Sequence, residues 1–339
     1  MKQPHKSQAL QSGFPHVRLR RLRQNETFRR MMGTPAPPPE KFLWPIFVCE
    51  GMGVISPLAD MPGQNYFSVD RLGKALEPLV KIGIGGVMLF GVVDGQKSSN
   101  ASYAHKDNGL VQRAIREIKK HFPAMTVFTD VCLCEHTPHG HCGILDRKGI
   151  VLNDPTNVVL GKIAVSHAAA GADGVAPSSM MDGKVIAIRT SLDIAGFQDT
   201  VLMSYSTKFA SSMYEPFRKT AHSAPKSGDR RAYQVPYDDP KQAIRESAFD
   251  EAEGADILMV KPALFYLDVI SRIKQETRLP LAAFNVSGEY SMLIASADRG
   301  WGSLHGMVRE SLAAIQRAGA DIIISYWANQ YLEIFASKD

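Results

Sequence analysis

The stretch Ala255-Asp-Ile-Leu-Met-Val-Lys-Pro262 decides how the rest of the chain is read. The apolar run after Asp256 predicts a strand buried on both faces, the kind found in parallel sheets covered by helices. It stops on Lys261, a charge that such a strand does not tolerate. A lysine there either reaches water or loses its proton to desolvation, and a neutral amine is a nucleophile toward carbonyls. The plainer alternative is a salt-bridged or snorkelling lysine at a strand end.

Outward from this segment, similar apolar runs recur at 43–49, 86–90, 125–129, 173–177, 201–205, 281–286 and 321–325. Helical spacing fills the gaps, at 70–81, 109–121, 156–170, 241–253, 266–277 and 307–318 among others. A weak repeat marks the junctions: Ala170-Gly-Ala-Asp-Gly-Val, Glu253-Gly-Ala-Asp-Ile-Leu and Ala318-Gly-Ala-Asp-Ile-Ile each sit where a helix gives way to a strand. Glycine there can adopt the left-handed conformation that closes a helix. Eight β-then-α units without a Gly-x-Gly-x-x-Gly turn predict a (β/α)8 TIM barrel over residues 41–339; an open doubly wound sheet is the alternative.

Residues 1–40 form a separate, extended N-terminal arm. Residues 1–30 carry eight Lys or Arg against one Glu, whereas the whole 339-residue chain has a net charge of only +5. Such an arm cannot build a core of its own and is expected to pack on a neighbouring subunit. It lacks the aromatic interleaving of a nucleic-acid reader, so no nucleic-acid partner is expected. No apolar run reaches about 18 residues and no secretory leader is recognisable, so no membrane partner is expected either. Four cysteines do not make a disulfide framework in a chain this long, which predicts a reducing, cytoplasmic setting without excluding an organelle.

In a barrel, chemistry collects at the C-terminal ends of the strands. The polar residues there are Asp130, Ser178, Lys208, Lys261, Ser287 and Tyr326. The loop Thr129-Asp-Val-Cys-Leu-Cys-Glu-His-Thr-Pro-His-Gly-His-Cys-Gly143 holds the densest ligand cluster. Cys132, Cys134 and Cys142 suit a tetrahedral Zn2+ with one open position, while a closed structural site would recruit His136, His139 or His141. Cys49, inside the first strand, reads as a core thiol. Lys208 follows another strand, and two cationic amines close together suppress each other's protonation. Arg218, Arg230 and Arg231 lie just downstream and could hold a carboxylate in the same mouth, or form a solvated surface.

These residues resemble the porphobilinogen synthase, or 5-aminolevulinate dehydratase, family. Gly254 to Tyr266 resembles its lysine signature, and Asp130-Val-Cys-Leu-Cys with His139-Gly-His-Cys-Gly its zinc-type cysteine loop. The likeness runs from about Arg18 to the C-terminus, through Val286-Ser-Gly-Glu289 and Ser325-Tyr326. It implies a lyase of haem biosynthesis that condenses two 5-aminolevulinate molecules into porphobilinogen with loss of two waters. Lys261 would form a Schiff base with the substrate giving the propionate side, and Lys208 with the one giving the acetate side. Arg218, Arg230 and Gln234 match residues holding the acetate-side carboxylate, Ser287 and Tyr326 those holding the propionate-side carboxylate, and Asp130 and Ser178 those near the propionate-side amine. The resemblance further implies Zn2+ on the three cysteines, a homo-octamer embraced by its arms, and an allosteric Mg2+ at Glu246 as in some bacterial relatives. Three departures stand out: Ser179 for an aspartate, Glu215 for a glycine, and Ala263 for a glycine after Lys-Pro. Other Schiff-base barrels, such as class I aldolases, are the competing enzymes. A non-catalytic zinc or nucleic-acid binder is the competing class.

Overall fold

The computed structural model describes residues 13–93 and 95–336. The chain divides into two compact units, Met1–Ala36 and Pro37–Asp339. In the first, a 3-10 turn at Leu19–Arg23 precedes a short helix at Glu26–Met32. Asn25 caps that helix, its side-chain oxygen accepting from the Phe28 N–H at 2.9 Å. Every described residue of this unit is exposed, as expected of a basic segment too short to enclose a core.

The second unit is a closed parallel barrel of eight strands: β1 Phe42–Cys49, β2 Gly86–Val92, β3 Thr126–Val131, β4 Gly174–Pro177, β5 Val201–Lys208, β6 Ile257–Lys261, β7 Leu281–Asn285 and β8 Ile322–Ser325. Each pairs with the next, and β8 returns to β1 through Phe42↔Ile323 and Leu43↔Ile324. Between and after the strands lie α1 Leu72–Ile82, α2 Leu110–His121, α3 Asn153–Ala169, α4 Lys184–Ile194, α5 Glu215–Thr220, α6 Pro240–Ala252, α7 Leu267–Glu276, α8 Ser287–Asp298 and α9 Leu304–Ala318. The starts are locally encoded: for α6, Pro240 opens the helix while the Asp239 carboxylate accepts from the Lys241 and Gln242 N–H groups. No helix among the described residues is long and apolar enough to cross a membrane.

Two strands outrun their apolar stretches. β3 extends to Val131, so Asp130 lies within the strand rather than after it. β5 continues through Ser206 and Thr207 to Lys208. The hydroxyls of Ser206 and Thr207 are satisfied by α6: Ser206 Oγ lies 3.0 Å from Ser247 Oγ, and Thr207 Oγ1 donates to the Ala243 carbonyl at 2.8 Å. α8 has no counterpart in the sequence reading, because Leu293 and Tyr290 on one side and Met292 and Ile294 on others leave it without a clear apolar stripe.

The Gly-Ala-Asp repeat closes the end of the barrel opposite the strand C-termini. Gly171, Gly254 and Gly319 have φ of +103°, +100° and +119°, a region that disfavours any Cβ. Each following aspartate then accepts the N–H that opens a neighbouring strand. Asp173 takes it from Val127 at 2.7 Å, Asp256 from Leu202 at 2.7 Å and Asp321 from Leu281 at 2.8 Å.

Candidate active site

Lys208 and Lys261 are the last residues of two hydrogen-bonded strands and are register partners, so the sheet itself places them side by side. Both are 5% exposed. The Lys208 ammonium donates to the Ser178 carbonyl at 2.6 Å. The Lys261 nitrogen instead faces aromatic rings, 3.9 Å from the centroid of Phe284 and 5.1 Å from those of Tyr205 and Phe217. Burial, and next the positive charge of Lys208, push its pKa down to about 7, against the pull of Asp130 and Glu135. Near neutral pH a sizeable share of Lys261 is therefore a free amine.

Around the two amines one small cavity gathers Asp130, Cys134, Glu135, Ser178, Arg218 and Arg230, walled by Phe90, Tyr214 and Phe217. Asp130 is pushed up to about 7, first by burial and then by Glu135, while the lysines and the Ser178 hydroxyl oppose this. Its Oδ1 is buried without a hydrogen-bond partner. Glu135 was not singled out in the sequence, where the flanking cysteine and histidines hide it. It is 4% exposed, its Oε2 accepts from the Cys134 thiol at 3.0 Å, and burial raises its pKa. Tyr205 was missed because it sits within β5. Its ring lies 5.1 Å from the Lys261 nitrogen and 5.5 Å from that of Lys208, and its buried hydroxyl has no partner.

The sulfurs of Cys132, Cys134 and Cys142 are buried and all within 4.8 Å of one another. Sulfurs sharing one tetrahedral Zn2+ at about 2.3 Å sit about 3.8 Å apart, so the trio fits such an ion with little movement. The Cys142 thiol is pushed well below the usual thiol range, first by hydrogen bonds from the Cys132 and Cys134 thiols and then, against burial, by Arg230 and Lys208. The histidines do not complete a four-ligand cluster. His141 spends both ring nitrogens, on the Tyr233 hydroxyl at 3.0 Å and the Ser227 carbonyl at 2.9 Å. His139 Nδ1 accepts from the His141 N–H at 3.1 Å. A second cluster able to hold a cation joins Asp130, Cys132 and Glu135.

Arg230 is buried, donating to the Gly140 carbonyl at 2.9 Å and the Ser223 carbonyl at 2.5 Å. Burial works against its charge, while Cys142, Cys134, Tyr233 and Cys132 together push its pKa up. Arg218, on α5, lies 3.6 Å from Glu215, so this departure from the family pattern points at the arginine and forms a largely exposed ion pair with it. Gln234 is 3% exposed with neither amide atom hydrogen-bonded, and it faces an adjoining hollow. Arg231 stays on the surface with Asp229.

The family model for delta-aminolevulinic acid dehydratase matches residues 16–334. The chain belongs to that family. The delta-aminolevulinic acid dehydratase of Synechococcus elongatus is 49% identical over 318 residues, covering 93% of this chain and 97% of the relative. That of Bacillus subtilis is 46% identical over 311 residues, covering 92% and 95%. The crystal structure of the delta-aminolevulinic acid dehydratase (porphobilinogen synthase) of Toxoplasma gondii, in complex with the reaction product porphobilinogen, superposes with a TM-score of 0.91. Its identity is 41%, and the match covers 94% of this chain and 91% of that one.

Within the dehydratase frame the remaining residues find places. Ser287 opens α8, its Oγ accepting from the Phe217 N–H at 3.0 Å. Tyr326 follows β8, fully buried, its hydroxyl unpartnered and its pKa raised by burial. Neither is among the residues that line the small cavity around the two amines. Ala263 has φ −101°, so the methyl that replaces the family's glycine is accommodated. Ser179 is fully buried and its Oγ has no partner; nothing in the structure explains the replacement. Glu246 does not line the lysine cavity; it lines an outer hollow of about 720 Å3 near α4 and α6, where it accepts from Gln242 at 3.3 Å. That hollow is the larger of the two, yet both lysines and Cys134 line the smaller one.

Proposed function

We propose that this chain condenses two molecules of 5-aminolevulinate into porphobilinogen, releasing two waters, through Schiff bases on Lys261 and Lys208. The observation that carries the reading is the pair of buried amines on adjacent strand ends, facing one enclosed mouth beside three converging sulfurs. Lys261, partly neutral near pH 7, attacks the ketone of the propionate-side substrate and expels water. The resulting iminium withdraws electrons from the neighbouring carbon and makes its protons acidic. Lys208 does the same for the acetate-side substrate, and the short distance between the strand ends brings the two imines into bonding range.

Arg218, Arg230 and Gln234 hold the acetate-side carboxylate, which gives the unsatisfied Gln234 amide a partner. Ser287 and Tyr326 hold the propionate-side carboxylate, and Asp130 with Ser178 the amine of that substrate. Cys132, Cys134 and Cys142 would hold Zn2+, which when bound supplies Lewis acidity toward the second substrate. The arm embraces a neighbouring subunit in a homo-octamer, and its exposed apolar residues Leu19, Leu22 and Met31 are consistent with that. An allosteric Mg2+ at Glu246 and a cytoplasmic setting, favoured by four free thiols, complete the proposal.

The test is a colorimetric pyrrole assay on purified protein with 5-aminolevulinate, with and without a zinc chelator. Pyrrole formation that chelation abolishes and Zn2+ restores is expected. Full activity in chelator would remove the metal from the proposal, and no pyrrole under any metal condition would remove the reaction.

A further inference from the structure

Glu289 is a carboxylate with no assigned role, fully buried at the start of α8. Its Oε1 accepts from the backbone N–H groups of Ala263 at 3.1 Å and Leu264 at 2.7 Å, just after Lys261. Its Oε2 accepts from the Val286 N–H at 2.9 Å and from Asn285 Nδ2 at 3.0 Å, just before Ser287. Asn285 in turn accepts from the Ser325 hydroxyl at 3.0 Å, next to Tyr326. One side chain thus joins the ends of β6, β7 and β8.

The ladder cannot do this alone. Pairing of β6 with β7 stops at Val260↔Ala283, one residue short of Lys261, and the chain just past the lysine, at Ala263 and Leu264, is tied to β7 through Glu289. Burying a carboxylate is costly, and four donors on one group are what make it tolerable. An apolar side chain there would leave those donors unsatisfied, so the carboxylate contributes to stability, and a positioning role has to be read from the rate at Lys261.

We propose that Glu289 is a positioning residue that keeps Lys261 in register with Ser287 and Tyr326. The ketone and the carboxylate of one substrate are then presented to amine and hydroxyls at a fixed separation. The inference rests on the reading that Lys261 forms the Schiff base.

Glu289→Gln keeps the shape but leaves one acceptor atom, so either the Ala263/Leu264 pair or the Val286/Asn285 pair meets an NH2 group instead of an oxygen. Full-length protein is treated with 5-aminolevulinate and borohydride, and the reduced adduct is located by peptide mapping. The rate of adduct formation at Lys261 should fall about ten- to a hundredfold, the range for small misplacements of reacting groups. Melting and far-UV circular dichroism should still report a folded protein at the assay temperature. A Lys261 rate within about twofold of wild type, whatever the melting shift, overturns the proposal, because a purely structural role lowers stability without slowing the amine. Should the Gln variant not fold, Asn285→Ala removes one donor and the tie to Ser325; a smaller slowing at Lys261 supports the proposal and an unchanged rate overturns it. Absence of a Lys261 adduct in the wild type would instead fell the Schiff-base reading, and this inference with it.

Discussion

The two ends of the barrel treat polar groups in opposite ways. At the N-terminal end, Asp173, Asp256 and Asp321 each receive a strand-opening N–H, and Lys119 and Lys274 pair with Asp173 at 2.6 Å and Asp321 at 2.5 Å. At the C-terminal end, Asp130, Tyr205, Gln234 and Tyr326 keep buried atoms without partners, and two lysines share one enclosed space. Unmatched buried polar groups cost stability, so a fold keeps them where something other than stability is at stake. One end is built to hold the chain together; on the proposed function, the other is where substrate would bind.

Substitution of the lysine should separate the ends most sharply. Lys261→Met should reduce pyrrole formation to the assay background and raise stability by about 1–4 kcal/mol, as replacement of buried charges often does. The sign follows from a pKa depressed from 10.5 to about 7: the folded-state penalty is absent above the unfolded value, grows as pH falls, and is complete below about 7. The variant's advantage in thermal melting is thus expected to be full at pH 6 and to shrink toward pH 10; no gain at pH 6 would contradict a desolvated lysine.

The rate at which borohydride traps the Lys261 adduct should rise about tenfold per pH unit below 7 and level off above it, since only the neutral amine attacks. A flat profile from pH 5.5 to 8.5 would mean that the amine is not held near 7.

At the opposite end the expected pattern inverts. Asp256→Ala leaves the Leu202 N–H without its acceptor and should cost about 1–3 kcal/mol, seen as a lowered melting temperature with kcat per folded molecule unchanged. A loss of kcat without a loss of stability would break the division between the ends. Gly319→Ala should have the smallest effect, about 1 kcal/mol in urea unfolding, from forcing a Cβ into φ +119°.

The barrel was legible because eight apolar runs and their helices need no knowledge of side-chain direction. Lys261 was legible as a charge in a place where strands carry none, and the cysteines through their spacing. Glu135, Tyr205 and Glu289 were not. Each looks like an ordinary member of a loop, strand or helix until the register shows that it points inward. The repeat was only half read: its glycines were explained by backbone conformation, but the aspartates' bonds cross to the preceding strand, and sequence proximity does not reveal that. Asp130 and Lys208 were set beyond their strands because hydroxyl-rich or acidic residues end an apolar run without ending a ladder.

The register pairing of Lys261 with Lys208 works as a ruler that no single substitution can reset. Neighbouring strands lie about 4.8 Å apart and next-nearest strands about twice that. On the proposed function, moving either amine to another strand end would stretch the gap between the two tethered molecules by a whole step, too far for a carbon–carbon bond. On that reading, the spacing of a β-sheet sets how far apart the two bound molecules are held.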